Sequence, residues 1–201
     1  TMNATSSGSS LANIQVYYRF TGRASHAAGS PHLGRSALDA VELMNVGVNY
    51  LREHVIPEAR VHYAVIDTGG KSPNAVQANA EVLYLIRAPK NNLVQEIYAW
   101  VNDIARGAAL MTQTEVHIEV DKACSNLVPN ETLEKLMQAN LEAIPALSQT
   151  SEEQAFAEAI RSTLGEAELA KESTSLVHKY GGQEGRRLAE LLGGKVLHTA
   201  V

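Results

Sequence analysis

The sequence has one cysteine, no long apolar run and no surplus of positive charge, and each shortage excludes a class of protein. Cys124 alone cannot form an intramolecular disulfide and is too little for a structural zinc cluster, which is typical of a reducing compartment. The chain has 17 basic and 22 acidic residues, giving a net charge of −5, and its basic residues are scattered. We therefore expect no nucleic-acid partner.

The features of membrane and secreted proteins are also missing. No apolar run is long enough to cross a bilayer, and residues 1–10 have neither the basic region nor the apolar core of a secretion signal. These residues are mainly Ser, Thr, Gly and Asn, which predicts a flexible lead-in. Since 45% of the 201 residues are hydrophobic, the rest can bury one substantial core. We predict a cytoplasmic protein with no membrane partner.

The spacing of the apolar residues predicts the order strand, helix, strand, strand, helix, strand. Alternation in steps of two predicts strands over 13–20, 59–66, 79–87 and 114–121. Steps of three and four predict a helix from its cap Ser36 to before Pro57, and another over 91–111 behind an asparagine cap. Each strand has one apolar face, which favours an antiparallel sheet. The predicted fold class is α+β, a ferredoxin-like two-layer sandwich with four antiparallel strands and two helices on one face.

The rest of the chain has helical patterns without an accompanying strand. They cover 130–144, 151–164 and 184–193, with Asn130 and Ser151 as predicted caps. We therefore divide the chain into a flexible lead-in (1–10), a ferredoxin-like domain (11–123) and a helical segment (124–201). The last residues form an apolar tail with no closing polar segment, so we expect the chain to be part of a longer polypeptide and the helical segment to belong to an incomplete domain.

Several patterns resemble known sites but lack the residues that such sites need. The segment TGGKS at 68–72 lacks the first glycine of a phosphate loop, and Pro73 prevents the helix that must follow. Glu152 and Glu153 lie in the first turn of a predicted helix, where the helix dipole favours acidic residues. The seven histidines have no acidic or cysteine partner at ligand spacing. We therefore predict that this chain holds no complete metal centre.

Three polar residues on connections or strand ends remain as candidates. His26 follows the first strand among small residues that would let a second surface approach. Asn74 follows Pro73, which stiffens its turn, and its amide offers two donors and an acceptor. Arg87 ends the third strand, where its guanidinium could bind a carboxylate at two points. Loop histidines, turn asparagines and strand-end arginines also have ordinary structural roles, so these patterns alone leave both interpretations open.

Three separated segments resemble, in the same order, the zinc amidohydrolases of the aminoacylase and glutamate-carboxypeptidase superfamily. They are FTGRASHAAGSPHLGRSALDAV (20–41), GGKSPNAVQANAEVLYLIRAP (69–89) and DKACSNLVPNETLEKLMQAN (121–140). The sequence is similar above all to the aminobenzoyl-glutamate utilization branch of this superfamily. The resemblance covers about 11–144 and continues more weakly through 152–164 to 181–192.

The resemblance implies that residues 11–123 are a lid and dimerisation domain, inserted into a catalytic domain that binds two zinc or manganese ions. The family's Gly-x-x-x-His-Ala motif matches Gly22–Ala27. This match implies that His26 is catalytic, reaching across the dimer to polarise the scissile carbonyl. The family's asparagine and arginine match Asn74 and Arg87, which implies that both bind the substrate carboxylate. Gln77 and Ala78 depart from the family, because many relatives have proline there.

The function implied by the resemblance is the lid and dimerisation part of a metal-dependent amidohydrolase. The enzyme would act as a homodimer and hydrolyse the amide bond of an N-acyl amino acid, such as aminobenzoyl-glutamate. Because the family's metal ligands lie outside this segment, the chain alone is expected to be inactive. The alternative is a non-catalytic ferredoxin-like module that binds a protein or a small ligand.

Overall fold

The computed structural model describes residues 9–144 and 148–165. The strands are β1 (Ala12–Thr21), β2 (Ser25–His26), β3 (Arg60–Asp67), β4 (Ala75–Val76), β5 (Asn79–Ala88) and β6 (Glu115–Cys124), and the helices are α1 (Ala37–Leu51), α2 (Asn91–Thr112), α3 (Glu131–Ala143) and α4 (Ser151–Arg161). The chain divides into two compact units, Gly8–Pro129 and a second that includes the residues from Asn130 on. None of the helices in the described ranges has both the length and the apolar character needed to cross a membrane.

Four strands form one antiparallel sheet in the order β3, β5, β1, β6. The two central strands, β1 and β5, pair from Ala12, opposite Ala88, to Thr21, opposite Asn79. Its other side pairs with β6, and β3 pairs with the outer side of β5. Together with the two helices α1 and α2 that follow β1 and β5, this strand order is that of a ferredoxin-like sandwich. The predicted fold class is confirmed.

The core lies between this sheet and the helices α1 and α2, and two buried tyrosines connect the layers. The Tyr18 hydroxyl on β1 donates to Asn102 Oδ1 on α2 at 2.7 Å, and the Tyr84 hydroxyl on β5 donates to Asn45 Oδ1 on α1 at 2.5 Å. Burial raises the pKa of both tyrosines far above the ordinary value, so both remain neutral donors. Each helix is therefore fixed above its own strand, with α1 over β5 and α2 over β1.

The predicted caps of the first two helices have different outcomes. Ser36 caps α1 as predicted, because its hydroxyl accepts a hydrogen bond from the Asp39 amide at 3.1 Å. The predicted asparagine cap of α2 is wrong. Lys90 precedes the helix without a capping side-chain bond, and Asn91 is the first helical residue. The Asn91 amide nitrogen instead donates to the Ser125 hydroxyl at 3.0 Å, and this bond connects the start of α2 to the segment after β6.

The caps of α3 and α4 show the same contrast. Asn130 caps α3 as predicted, because its side-chain oxygen accepts from the Leu133 amide at 3.0 Å. The cap of α4 is Thr150 rather than the predicted Ser151. Thr150 and Glu153 form a reciprocal capping box, in which the Glu153 carboxylate accepts from the Thr150 amide at 2.7 Å. This hydrogen bond lowers the pKa of Glu153.

Two sequence expectations fall outside the described residues. One is the third predicted helix, over 184–193, and the other is most of the lead-in, residues 1–8. The domain boundaries at 1–10, 11–123 and 124–201 therefore stay a prediction.

Candidate functional site

His26 lies at one end of the large sheet, in a two-stranded ribbon formed by β2 and β4. These short strands pair antiparallel, so that His26 lies opposite Ala75. The next residue continues the contact, because the Ala27 amide donates to the carbonyl of Asn74 at 2.8 Å. The ribbon therefore brings two of the three sequence-predicted site residues, His26 and Asn74, next to each other.

The imidazole of His26 is held by a tight turn of the backbone that follows it. Its Nδ1 accepts the backbone amides of Ala28 at 3.2 Å and Gly29 at 2.9 Å. The carbonyl of His26 accepts the Ser30 amide at 2.9 Å, which closes the turn. The residue is exposed, and its Nε2 makes no hydrogen bond within the described ranges. The free nitrogen can therefore bind a ligand without breaking an existing bond.

Two glycines allow the backbone around this ribbon to pack closely. A Cβ atom at Gly22 would lie 2.0 Å from the carbonyl oxygen of Arg35, and one at Gly34 would lie 2.4 Å from Ser25 Oγ. The residues that follow these glycines, Arg23 and Arg35, exchange two backbone hydrogen bonds of 2.8 and 2.9 Å. Any side chain at these glycines would push the ribbon away from the start of α1. The glycine that opens the family motif is thus explained by a steric requirement.

Asn74 is exposed in the turn before β4. Its side-chain oxygen accepts the Ser72 hydroxyl at 2.5 Å, and within the described residues its amide nitrogen has no partner. The two positions that depart from the family are anchored through their carbonyls. Gln77 accepts the first backbone amide of α1 at 2.8 Å, and Ala78 accepts the Gly22 amide at 2.7 Å. Both bonds use backbone carbonyls, which every residue has, so they hold this loop to α1 and to Gly22 whichever side chains stand at 77 and 78.

Arg87 lies at the opposite end of the sheet from His26. Strand β5 begins at Asn79, shortly after the ribbon, and Arg87 is eight residues further along it. Because a strand rises about 3.3 Å per residue, Asn79 and Arg87 are about 26 Å apart. We call these two ends of the sheet the His26 end, at Thr21 and Asn79, and the Arg87 end. Within one chain, the structure does not bring Arg87 to His26.

The charges around Arg87 favour an anion. Arg87 lies directly opposite Arg60 on β3, and like charges in this register repel each other. The Arg60 guanidinium already has partners within the chain. It donates to the carbonyl of Pro57 and to that of Ala59, the latter at 2.6 Å. The side chain of Arg87 is exposed and has no partner in the part of the chain that the structure describes. A carboxylate bound by Arg87 would relieve this repulsion.

The described residues do not fit a metal ion. Within 9–144 and 148–165, no group of three or more His, Cys, Asp and Glu side chains could hold one. His26 has one ring nitrogen occupied by backbone amides and no acidic or cysteine neighbour in such a group. Within these ranges, the groups left open for a ligand are the His26 Nε2, the Asn74 amide nitrogen and the Arg87 guanidinium.

Two parts of the site escaped sequence reasoning. The ribbon was missed because strands of two residues are too short to produce an alternating pattern. The amides of Ala28 and Gly29 were missed because backbone donors carry no residue signature. The only available signal was the run of small residues after His26, which is typical of a tight turn.

Curated relatives match this chain over most of its length. It is 54% identical over 179 residues to a subunit of p-aminobenzoyl-glutamate hydrolase from Escherichia coli (strain K12), covering 89% of this chain and 37% of the relative. It is 37% identical over 124 residues to Xaa-Arg dipeptidase of Mus musculus, covering 61% of this chain and 28% of that protein. The chain therefore spans between about a quarter and two fifths of the lengths of these relatives.

Solved structures share the fold at lower identity. An aminobenzoyl-glutamate utilization protein from Klebsiella pneumoniae aligns with a TM-score of 0.54 and 22% identity, over 67% of this chain and 32% of that one. A putative amidohydrolase/peptidase from Burkholderia cenocepacia aligns with a TM-score of 0.57 and 20% identity, over the same shares. The family model for the peptidase dimerisation domain matches residues 8–113, just over half of the chain. The resemblance found in the sequence is confirmed, and the chain belongs to the peptidase dimerisation domain family.

Proposed function

We propose that this chain is the lid and dimerisation part of a metal-dependent amidohydrolase that cleaves N-acyl amino acids such as p-aminobenzoyl-glutamate. The observation that carries the proposal is the ribbon of β2 and β4, which brings the backbone of Asn74 next to that of His26. Both residues are exposed, and the His26 Nε2 and the Asn74 amide nitrogen have no partner among the described residues. An imidazole N–H and an amide N–H at the same end of the sheet suit a substrate that has a carbonyl oxygen and a carboxylate. The name of the Escherichia coli relative supports p-aminobenzoyl-glutamate as the first substrate to test.

His26 has the role of donor to the scissile carbonyl. When a nucleophile attacks an amide, negative charge develops on the carbonyl oxygen, and a positioned donor lowers the barrier. The Nε2–H group of His26 supplies that donor, because Nδ1 is already occupied by two backbone amides. Asn74 donates to the carboxylate of the substrate through its free amide nitrogen. Arg87 binds the same carboxylate at two points and fixes its orientation.

A second copy of the chain brings Arg87 to this site. Strand β3 is one edge of the sheet. If two copies join their β3 edges antiparallel about a two-fold axis, the His26 end of one sheet lies beside the Arg87 end of the other. Three strand spacings, about 14 Å, then separate Arg87 from the start of the partner's β5, against about 26 Å within one chain. In this arrangement each site would take Arg87 from one chain and His26 and Asn74 from the other.

The surface beside β3 supports this choice of edge. Five exposed apolar side chains, here called the edge patch, lie along α1 and β3: Leu43, Val46, Tyr50, Tyr63 and Val65. They are 38% to 65% exposed, so a second copy would remove much apolar area from water. The other edge, β6, has charged or ionisable side chains at Glu115, His117, Glu119, Asp121 and Lys122. The β3 edge has three such side chains, Arg60, His62 and Asp67. Because charges on an edge strand oppose pairing and β6 has more of them, we assign the dimer contact to β3.

A charge placed in the edge patch tests this assignment. Val65→Lys is expected to weaken self-association at least about 100-fold, because the contact would bury an unpaired ammonium group. Val120→Lys on β6 is the matched control, since Val120 is 48% exposed and Val65 is 42% exposed. Sedimentation velocity over a concentration series should give monomers for Val65→Lys and dimers for the control. Dimers for both variants would exclude β3 as the contact.

The proposal assigns the metal ions to polypeptide outside this chain. Two zinc or manganese ions, held by residues of the catalytic domain, would activate the attacking water. The residues in 9–144 and 148–165 do not fit a metal. In this proposal, residues 11–123 form the lid and residues 124–201 belong to the catalytic domain. The single cysteine is consistent with a cytoplasmic enzyme.

An amidase assay of the full-length protein tests the proposal. We expect hydrolysis of p-aminobenzoyl-glutamate that a chelator abolishes and added zinc or manganese restores. The matched substrate is the α-carboxamide of the same compound, whose kcat/KM should be at least about 100-fold lower, because Arg87 and Asn74 would lose their charged partner. A folded, metal-supplied dimer that hydrolyses no N-acyl amino acid would contradict the proposal and favour the non-catalytic binding module.

A further inference from the structure

The two nitrogens of the His26 ring are in different surroundings. Nδ1 faces the backbone and accepts the amides of Ala28 at 3.2 Å and Gly29 at 2.9 Å. Nε2 has no hydrogen-bond partner among the residues described. In this arrangement the imidazole occupies the place that the side chain of Asp, Asn or Ser takes at a helix N-terminus, where it accepts amides two and three residues later.

We propose that the amides of Ala28 and Gly29 position His26 as a donor-only residue with its proton on Nε2. A neutral imidazole has one N–H group and one bare nitrogen. Two N–H donors aimed at Nδ1 require that this nitrogen is the bare one, so the proton is on Nε2. The nitrogen open to a ligand can then donate but cannot accept. His26 therefore acts as an electrophilic donor and is not a general base.

The same bonds fix the direction of the ring. A side chain on a two-residue strand has few neighbours to limit its rotation, and His26 is exposed. Two hydrogen bonds to Nδ1, together with the turn closed by the Ser30 amide, limit the ring to one orientation. The Nε2–H bond is thus aimed before a substrate arrives, and a pre-aimed donor costs no reorganisation during the reaction.

Gly29 contributes through its amide rather than through its lack of a side chain. A Cβ atom added at Gly29 would lie 3.4 Å from His26 Nδ1, which is an ordinary contact, and Gly29 has no positive φ. Gly29→Ala keeps the amide and is the matched control, whereas Gly29→Pro removes it. Ala28→Pro removes the other amide, whose bond to Nδ1 is the longer of the two. The three variants separate the effect of the donor from that of side-chain size.

Nuclear magnetic resonance of the 201-residue chain tests the proposal without any assay of activity. With uniform ¹⁵N labelling and neutral imidazole, we expect the Nε2–H tautomer and a scalar coupling across the hydrogen bond between the Gly29 nitrogen and His26 Nδ1. Gly29→Ala should keep this coupling. A proton on Nδ1, or no coupling in the unsubstituted chain, would overturn the proposal whether or not the proline variants fold.

Kinetics connect this positioning to the reaction, and this step alone rests on the proposed function. In the full-length enzyme, Gly29→Pro is expected to lower kcat about five- to tenfold, the effect of losing one hydrogen bond, with KM nearly unchanged. Gly29→Ala should have the kcat of the unsubstituted enzyme. An equal loss of kcat in both variants would contradict a role for the amide. If the unsubstituted enzyme is inactive while the coupling is present, the proposed function fails and the tautomer assignment stands.

Discussion

Replacing His26 by alanine is expected to lower kcat about 10²- to 10³-fold in the full-length enzyme, because it removes the donor to the developing oxyanion. His26→Asn should lose as much activity while keeping the turn. Asparagine is a good capping residue, so its side-chain oxygen can accept the amides that Nδ1 now accepts. Its side chain is too short to reach the position of Nε2. KM should change little, because Asn74 and Arg87 still bind the carboxylate.

Steady-state kinetics on p-aminobenzoyl-glutamate measure this effect, with His32→Asn as the control. His32 is exposed in the short turn Pro31–Leu33, outside the ribbon, and its replacement should leave kcat within about twofold. Thermal unfolding of the variants shows whether the turn is intact. Near-normal kcat for His26→Asn would mean that the histidine serves only to cap the turn, and the donor role would be wrong.

The fold was predictable because the sheet has one face in water. Along β1, every second residue from Ala12 to Phe20 is buried, and the residues between them are half-buried. This alternation is visible in the sequence, and the change to steps of three and four marks α1 and α2. The choice between two neighbouring residues as the cap of a helix was not predictable in the same way. Thr150 and Ser151 both have an acid or amide three residues later, Glu153 and Gln154, so the capping-box spacing fits either residue. The structure shows that Thr150 and Glu153 form the box.

The site residues were predictable from a motif, but their arrangement was not. The match of Gly22–Ala27 singled out His26, whereas the contact of His26 with Asn74 depends on a ribbon of two residue pairs. Arg87 is far from both because β5 is ten residues long. The length of β5 can be predicted from the sequence. That Arg87 would approach His26 of a second chain follows only from the strand order and the free edge of β3, which the structure supplies.

A heterodimer of two inactive variants is expected to recover about half of the activity of the unsubstituted dimer. One chain carries His26→Ala and the other Arg87→Ala, each with its own affinity tag, so that two purification steps isolate the mixed dimer. Each homodimer should have at most about 1% of normal kcat/KM, since every site lacks one group. If a site takes His26 from one chain and Arg87 from the other, both defects meet in one site of the mixed dimer. The second site is then intact.

The control for this experiment pairs His26→Ala with Asn74→Ala. The ribbon holds both residues at the same end of one chain, so each site of that mixed dimer lacks one of them. Its activity should not exceed that of the Asn74→Ala homodimer. If activity returns when His26→Ala is paired with Arg87→Ala but not when it is paired with Asn74→Ala, each site must contain residues of two chains. One chain then supplies its His26 end and the other its Arg87 end. An inactive His26 and Arg87 pair, in a dimer of normal stability, would mean that one chain supplies both groups. The antiparallel joining of β3 edges would then be wrong, because within one chain these ends lie about 26 Å apart.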